Sequence, residues 1–156
     1  MTRASLKREL LAAVHAALAT ARAAHAAAVE GATHAEAKAE NDKDTRGLEQ
    51  SYLARGHALR VEELDAAVLA VSRLPEIAAA ADARVGLGAL VTVDDDGAIA
   101  RYYVAPWGGG VQIADRVQVV TPQAPIGRAL MGRELDDEVE VRRPGGARMV
   151  TITAIA

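Results

Sequence analysis

The sequence contains no cysteine and no phenylalanine, and its aromatic residues amount to one tryptophan and three tyrosines. Without thiols there can be no disulfide and no thiolate zinc site, which fits a reducing cytosol. An excess of positive charge is also missing: 18 Lys and Arg stand against 21 Asp and Glu, a net charge of -3. That balance argues against a protein that coats nucleic acid by its own charge, so contact with RNA or DNA is expected only through another protein. Long apolar runs are lacking as well. The opening MTRASLKRELLAAVHAAL has a basic end before an apolar stretch, as a signal peptide does, but Lys7, Arg8, Glu9 and His15 interrupt it. No apolar stretch is read as reaching the ~18 residues a spanning helix needs, and the expectation is a soluble, intracellular monomer with no membrane partner. A chain of 156 residues allows one ordinary domain or two small ones.

Proline is absent from residues 1–74, where alanine dominates and 10 acids balance 10 bases. All 5 prolines, most of the glycines and most of the valines fall in residues 75–156, so two architectures meet near Pro75. In the first, Leu10, Val14, Ala17, Ala21, Ala24 and Ala28 recur at 4-3-4-3-4, the spacing of a helix packed lengthwise on a partner. Ala54, Ala58, Val61, Leu64, Val68 and Val71 give a second stripe. Together they predict an antiparallel helical hairpin over residues 1–74, slim because alanine buries little area. Each arm, at roughly 25 to 30 residues and ~1.5 Å per residue, is ~40 Å long. Gly31 is expected to loosen the end of the first helix, Asp44 or Thr45 to cap the second, and Pro75 to end it. Between the arms lies AEAKAENDKDTR, with Glu36, Glu40, Asp42 and Asp44 around Lys38, Lys43 and Arg46.

Residues 75–84 read as a linker and 85–156 as strands. VGLGALVTVDDDGAIARYYVAP predicts a hairpin turning at Asp96-Gly97, and GGGVQIADRVQVVTP two more short strands. PIGRALMG is one or two turns of helix, and DEVEVRRPGGARMVTITAIA a closing hairpin around Pro144-Gly145-Gly146. The fold class is therefore α+β: a helical hairpin, then a small, mostly antiparallel sheet with one short helix. VDDDG lacks the ligand spacing and closing glutamate of a calcium loop, and WGGGV lacks the Lys-Ser/Thr of a phosphate loop, so both are turns. His15, His25, His34 and His57 make no metal-ligand pattern and are read as exposed helix positions. No serine sits in a nucleophile-elbow context.

The run VQVVTPQAPIGRALMGRELDDEVEVRRPGG resembles the C-terminal domain of the bacterial Gre transcript-cleavage factors. In that family a strand leads into Ser/Ala-Pro-Ile-Gly-Arg-Ala-Leu-Leu-Gly-Lys, then an acidic pair, an alternating valine strand and a Pro-x-Gly turn. Here Ala124 to Arg133, Asp136-Asp137, Val139, Val141 and Pro144-Gly145-Gly146 follow in that order, and GLGALVTV upstream resembles a further family phrase. The likeness covers most of residues 85–156; residues 1–74 match in architecture more than in letters.

The resemblance implies an FKBP-like C-terminal domain behind a coiled-coil finger. It implies that the globular domain docks on bacterial RNA polymerase at the secondary channel, with Pro125 and Ile126 as partner-binding residues, and that the finger reaches the catalytic centre. There two tip carboxylates help hold the second magnesium ion, so that the polymerase's own site hydrolyses backtracked RNA. Such a factor is no enzyme itself and has no cofactor of its own, only Mg²⁺ shared with the polymerase. The residues carried to that role are Asp42 and Asp44, with Glu40 beside them. Mg²⁺ prefers hard oxygen ligands, which suits these side chains. Gre tips typically read as an acid, two residues, a second acid and then Asn-Ala-Glu-Tyr, whereas here ENDKDTRGLEQSY carries an acid every second residue at Glu40, Asp42 and Asp44. With Tyr52 matched to the family tyrosine, no acid pair lands on the usual spacing. The alternative is thus a regulator or inhibitor of the same shape that occupies the channel without supporting cleavage. The scarcity of aromatics to line a proline pocket argues against a prolyl isomerase.

Overall fold

The structure, a computed structural model, describes residues 1–37, 46–77, 84–114, 116–143 and 145–156. Its elements run α1 (Arg3–Ala37), α2 (Arg46–Ser72), β1 (Leu90–Asp95), β2 (Ala98–Val104), β3 (Gln112–Ile113), β4 (Val117–Val120), α3 (Pro125–Leu130), β5 (Glu138–Arg143) and β6 (Gly146–Ile155). They divide into two compact units, one of residues 13–68 and the other of residues 1–12 with 69–156. The α+β class expected from the sequence is observed.

Within the unit of residues 13–68, α1 and α2 run antiparallel. Arg22 pairs with Asp65 at 3.0 Å, and Gly31 faces Gln50. The buried seam of α1 is Val14, Leu18, Ala21 and Ala28, and that of α2 is Leu64 and Ala67, while Ala54, Ala58, Val61 and Val68 are half-buried. Leu18 takes the place foreseen for Ala17, because a side chain four carbons long reaches the interface from a neighbouring azimuth and buries more area than alanine. Gly31 does not loosen the helix, which continues to Ala37. A Cβ there would lie 3.2 Å from the Gln50 amide oxygen, so glycine allows close approach of the two helices. His15 and His34 are exposed as expected, but His25 and His57 are half-buried. The caps expected at Asp44 or Thr45 lie outside the described residues; α2 ends at Ser72, ahead of Pro75.

The absence of a membrane-length run is also corrected. Arg3–His34 contains an 18-residue window long and apolar enough to cross a bilayer by length and composition alone. Alanine is the reason: it counts as apolar in every position, although only part of that window is buried.

The second unit is a six-stranded sheet in the order β3-β4-β2-β1-β6-β5. β1 and β2 form the foreseen hairpin, with Asp95 opposite Ala98. Asp96 and Gly97 both take positive φ, 51° and 88°, as a two-residue hairpin turn with the twist of its strands requires. The Gly97 N–H donates to the Asp94 carboxylate, which explains the acidic run without a cation. β5 and β6 pair antiparallel, as do β3 and β4, but β2 and β4 run parallel, joined through the loop that carries β3.

Both faces of this sheet are covered. Alternation along β2 sends Tyr102 and Val104 to one side and Tyr103 and Ala105 to the other. The first side packs Val91, Val93, Val139, Val141, Val150 and Ile152 with Leu130 of α3. The second packs Tyr103, Val117, Val119 and Ile113 against Leu6 and Leu10 from the start of α1 and Val71 and Leu74 from the end of α2. The first turn of α1 is fixed by reciprocal bonds between Thr2 and Ser5, each backbone N–H donating to the other hydroxyl at 3.1 Å. The Glu9 carboxylate accepts the Ala114 N–H, tying α1 to the loop before β4.

Candidate functional site

The segment Ala124–Gly132 is built from residues that each meet a separate demand. Ala124 takes an extended conformation before the helix, and Pro125 occupies the first helical turn, where its missing N–H costs nothing. Ile126 and Ala129 are half-buried against the sheet, and Leu130 is fully buried. Gly127 lies so close to the preceding turn that a Cβ would overlap the carbonyl oxygen of Thr121. Gly132 leaves the helix at φ 75° and donates to Val85, while Val85 donates to Arg133.

This packing leaves Pro125 and Arg128 exposed. With Ala129, and with Glu140 and Arg142 of β5, they line a cleft of about 510 Å³. Pro125 and Ala129 give the cleft its apolar lining, and Arg128, Arg142 and Glu140 contribute two guanidiniums and one carboxylate. Arg128 donates to the Gln123 carbonyl at 2.8 Å, and Arg142 lies 3.5 Å from Glu140. Both ion-pair partners there are solvent-exposed, so their attraction adds little to stability and leaves them available to a partner. The structure therefore places Pro125 at the cleft, whereas Ile126 is packed on the core and is not among the lining residues. Sequence reading passed over Arg128, Glu140 and Arg142. The signal for the last two was the alternation of EVEVRR, which buries Val139 and Val141 and turns their neighbours the other way.

A second polar group lies where α1, the segment after α2 and β2 meet. Lys7 Nζ donates to Glu76 at 2.8 Å and holds that carboxyl below its usual range, first through the hydrogen bond and then through its charge. Burial pushes the Tyr103 hydroxyl up to about 12, against the pull of Arg3 and with a smaller contribution from Glu76. Burial also lowers the Arg3 guanidinium, with Tyr103 opposing. Among the described residues no group of three His, Asp or Glu side chains converges on a point that could hold a metal. The tip acids Glu40, Asp42 and Asp44 lie outside the described residues.

The family model for Transcription elongation factor, GreA/GreB, C-term matches residues 80–156. Transcription elongation factor GreB of Pseudomonas aeruginosa is 40% identical over 73 residues, which cover 46% of this chain and 42% of that protein. Transcription elongation factor GreA of Sphingopyxis alaskensis is 34% identical over 73 residues, covering 46% and 44%. The match thus spans less than half the length of these curated relatives. Among solved structures, GreA factor homolog 1 (Gfh1) of Thermus thermophilus is similar at 18% identity over 94% of both chains, TM-score 0.41. Thermus aquaticus Gfh1 is similar at 20% identity over 99% of this chain and 96% of that one, TM-score 0.43.

Proposed function

We propose that this chain, whose residues 80–156 match the GreA/GreB C-terminal family model, is a Gre-type transcription elongation factor that binds bacterial RNA polymerase at the secondary channel and stimulates cleavage of backtracked RNA by the polymerase's own active site. The observation that carries the docking half of this reading is the cleft beside α3. Pro125 offers it a rigid apolar surface, Ile126 packs against the core of the sheet, and Arg128, Glu140 and Arg142 supply charges that would orient a partner. In this reading RNA and DNA are met only through the polymerase, in the cytoplasm, and the chain performs no chemistry alone.

The cleavage half rests on the acids between α1 and α2. Asp42 and Asp44, with Glu40 in reserve, would offer carboxylate oxygens to the polymerase's second magnesium ion, which supplies the charge stabilisation that hydrolysis of a phosphodiester needs. A second reading is favoured by one observation, the placing of acids at every second residue of the tip. On that reading the chain occupies the channel as a regulator without supporting cleavage.

The test is a pull-down with core polymerase followed by a cleavage assay on a stalled, backtracked complex. Wild type should bind and raise cleavage in a Mg²⁺-dependent manner. Arg128→Glu with Arg142→Glu should lose binding, while Asp42→Asn with Asp44→Asn should abolish cleavage and keep binding. Binding without cleavage at any Mg²⁺ concentration gives the function to the regulator reading. Binding that survives the double arginine reversal removes the cleft from the docking surface.

A further inference from the structure

The face of α2 turned away from α1 is not the polar surface that an ordinary exposed helix presents. Leu48, Tyr52 and Leu59 are 57%, 67% and 53% exposed. With Arg55, Glu62 and Ala66, also exposed, they recur at 4-3-4-3-4 along the helix. At 100° per residue all six fall within roughly 40° of one line along its surface, the spacing by which a helix packs lengthwise on another. The seam toward α1 lies on the opposite side, through Leu64 and Ala67. Gly56 flanks the stripe in the helix interior, where glycine weakens a helix relative to alanine. A Cβ there would meet nothing within 4 Å, so no contact among the described residues requires it.

We propose that two copies of the chain associate through this face, their α2 helices antiparallel about a two-fold axis level with Leu59. The occupant follows from the charges. The stripe holds one base and one acid, Arg55 and Glu62, and neither has an ion-pair partner among the described residues, whereas neighbouring Arg60 pairs with Glu63 at 3.0 Å. An antiparallel copy centred at Leu59 brings Arg55 of each chain beside Glu62 of the other, on the same flank of the contact. The same operation sets the two Leu59 side chains against each other at the axis and lays each Tyr52 ring over Ala66, where the small side chain leaves room. Gly56 on the flank lets the two backbones approach. Because a two-fold contact must complement itself, a stripe carrying one charge of each sign on opposite sides of its centre, four and three residues away, fits its own copy. A wall of one sign would find only one of the two charges complementary. The inference does not depend on polymerase binding, and its test uses the isolated chain.

The absence of cysteine makes that test direct. In sedimentation equilibrium over rising concentration, the apparent mass should climb from 16.3 kDa toward twice that value. Glu62→Arg sets like charges together and should weaken association at least tenfold, and Arg55→Glu added to it should restore association to within a few fold of wild type. All these positions are on the surface, so the variants should keep the wild-type helical signal. Leu59→Cys should form a disulfide-linked dimer under mild oxidation, whereas Ser51→Cys, far from the axis, should not. A chain monomeric at every concentration overturns the proposal, as does equal cross-linking at both cysteine positions. A dimer indifferent to the charge reversal belongs to another surface and overturns it equally. If the chain stays monomeric while Leu59→Asp abolishes polymerase binding, the stripe is a polymerase contact instead.

Discussion

Tyr103 is a polar group surrounded on one side of the sheet by aliphatic side chains, and its hydroxyl finds no hydrogen-bond acceptor among the described residues. Burial raises its pKa from about 10 in an unfolded chain to about 12. Below pH 10 the ring is neutral in both states and nothing changes. Between the two values the unfolded chain releases this proton while the folded chain keeps it, so stability falls as pH rises, by roughly 2 to 3 kcal/mol at the upper end. Urea midpoints measured from pH 9 to 12 should show this decline, and Tyr103→Phe should flatten it. Gly127 gives a second test. Its missing Cβ would overlap the Thr121 carbonyl, so Gly127→Ala must push α3 off its lead-in. A cost of about 2 to 3 kcal/mol, read as a thermal midpoint lower by several degrees, is expected. The glycine itself was legible in the motif at 124–133; the reason for it was not, because a contact six residues back depends on a turn whose path only the folded chain supplies.

At the scale of elements, legibility followed the strength of the local signal. The hairpin at Asp96-Gly97, the proline opening α3 and the stop before Pro75 were all readable, since each fixes its own backbone without help from distant residues. The seam of α1 was read with less accuracy because alanine looks alike on every face; Leu18 and Leu6 mark it in the structure, and both lay beside the pattern drawn from alanines. The parallel pairing of β2 with β4 left no local trace at all, as the partners meet only after the intervening loop has folded. Among the described residues the helical pair has few large buried side chains, so each one matters. Leu64 is 1% exposed while Val68 is half-buried, and a charge should be tolerated much better at the second. Leu64→Asp is expected to cost ~2 to 4 kcal/mol. Hydrogen exchange should then show protection lost along residues 13–68, with the strands of the other unit still protected. Equal loss in the strands would mean that the two units unfold together.

Taken as a whole, the molecule does not divide where its composition does. Composition changes near Pro75, yet Leu6, Leu10, Val71 and Leu74 cover one face of the sheet, so the compact unit that contains the sheet draws on both sides of that change. A fragment of residues 84–156 should therefore expose Tyr103, Val117 and Val119, bind a hydrophobic dye and aggregate, whereas the intact chain should do neither. The C-terminal motif was legible because its residues are contiguous; this shared face was not, because it is assembled from segments about a hundred residues apart. The order of the strands has one more consequence, for the nascent chain. β6 is the last strand in sequence but lies inside the sheet, between β1 and β5. As the polypeptide leaves the ribosome at 5 to 20 residues per second, β1 waits on the order of several seconds with one row of amides and carbonyls unpaired. During that interval a neighbouring nascent chain on the same message could offer the missing strand, and the race between the chain's own β6 and a stranger's sets how much newly made protein reaches its native state.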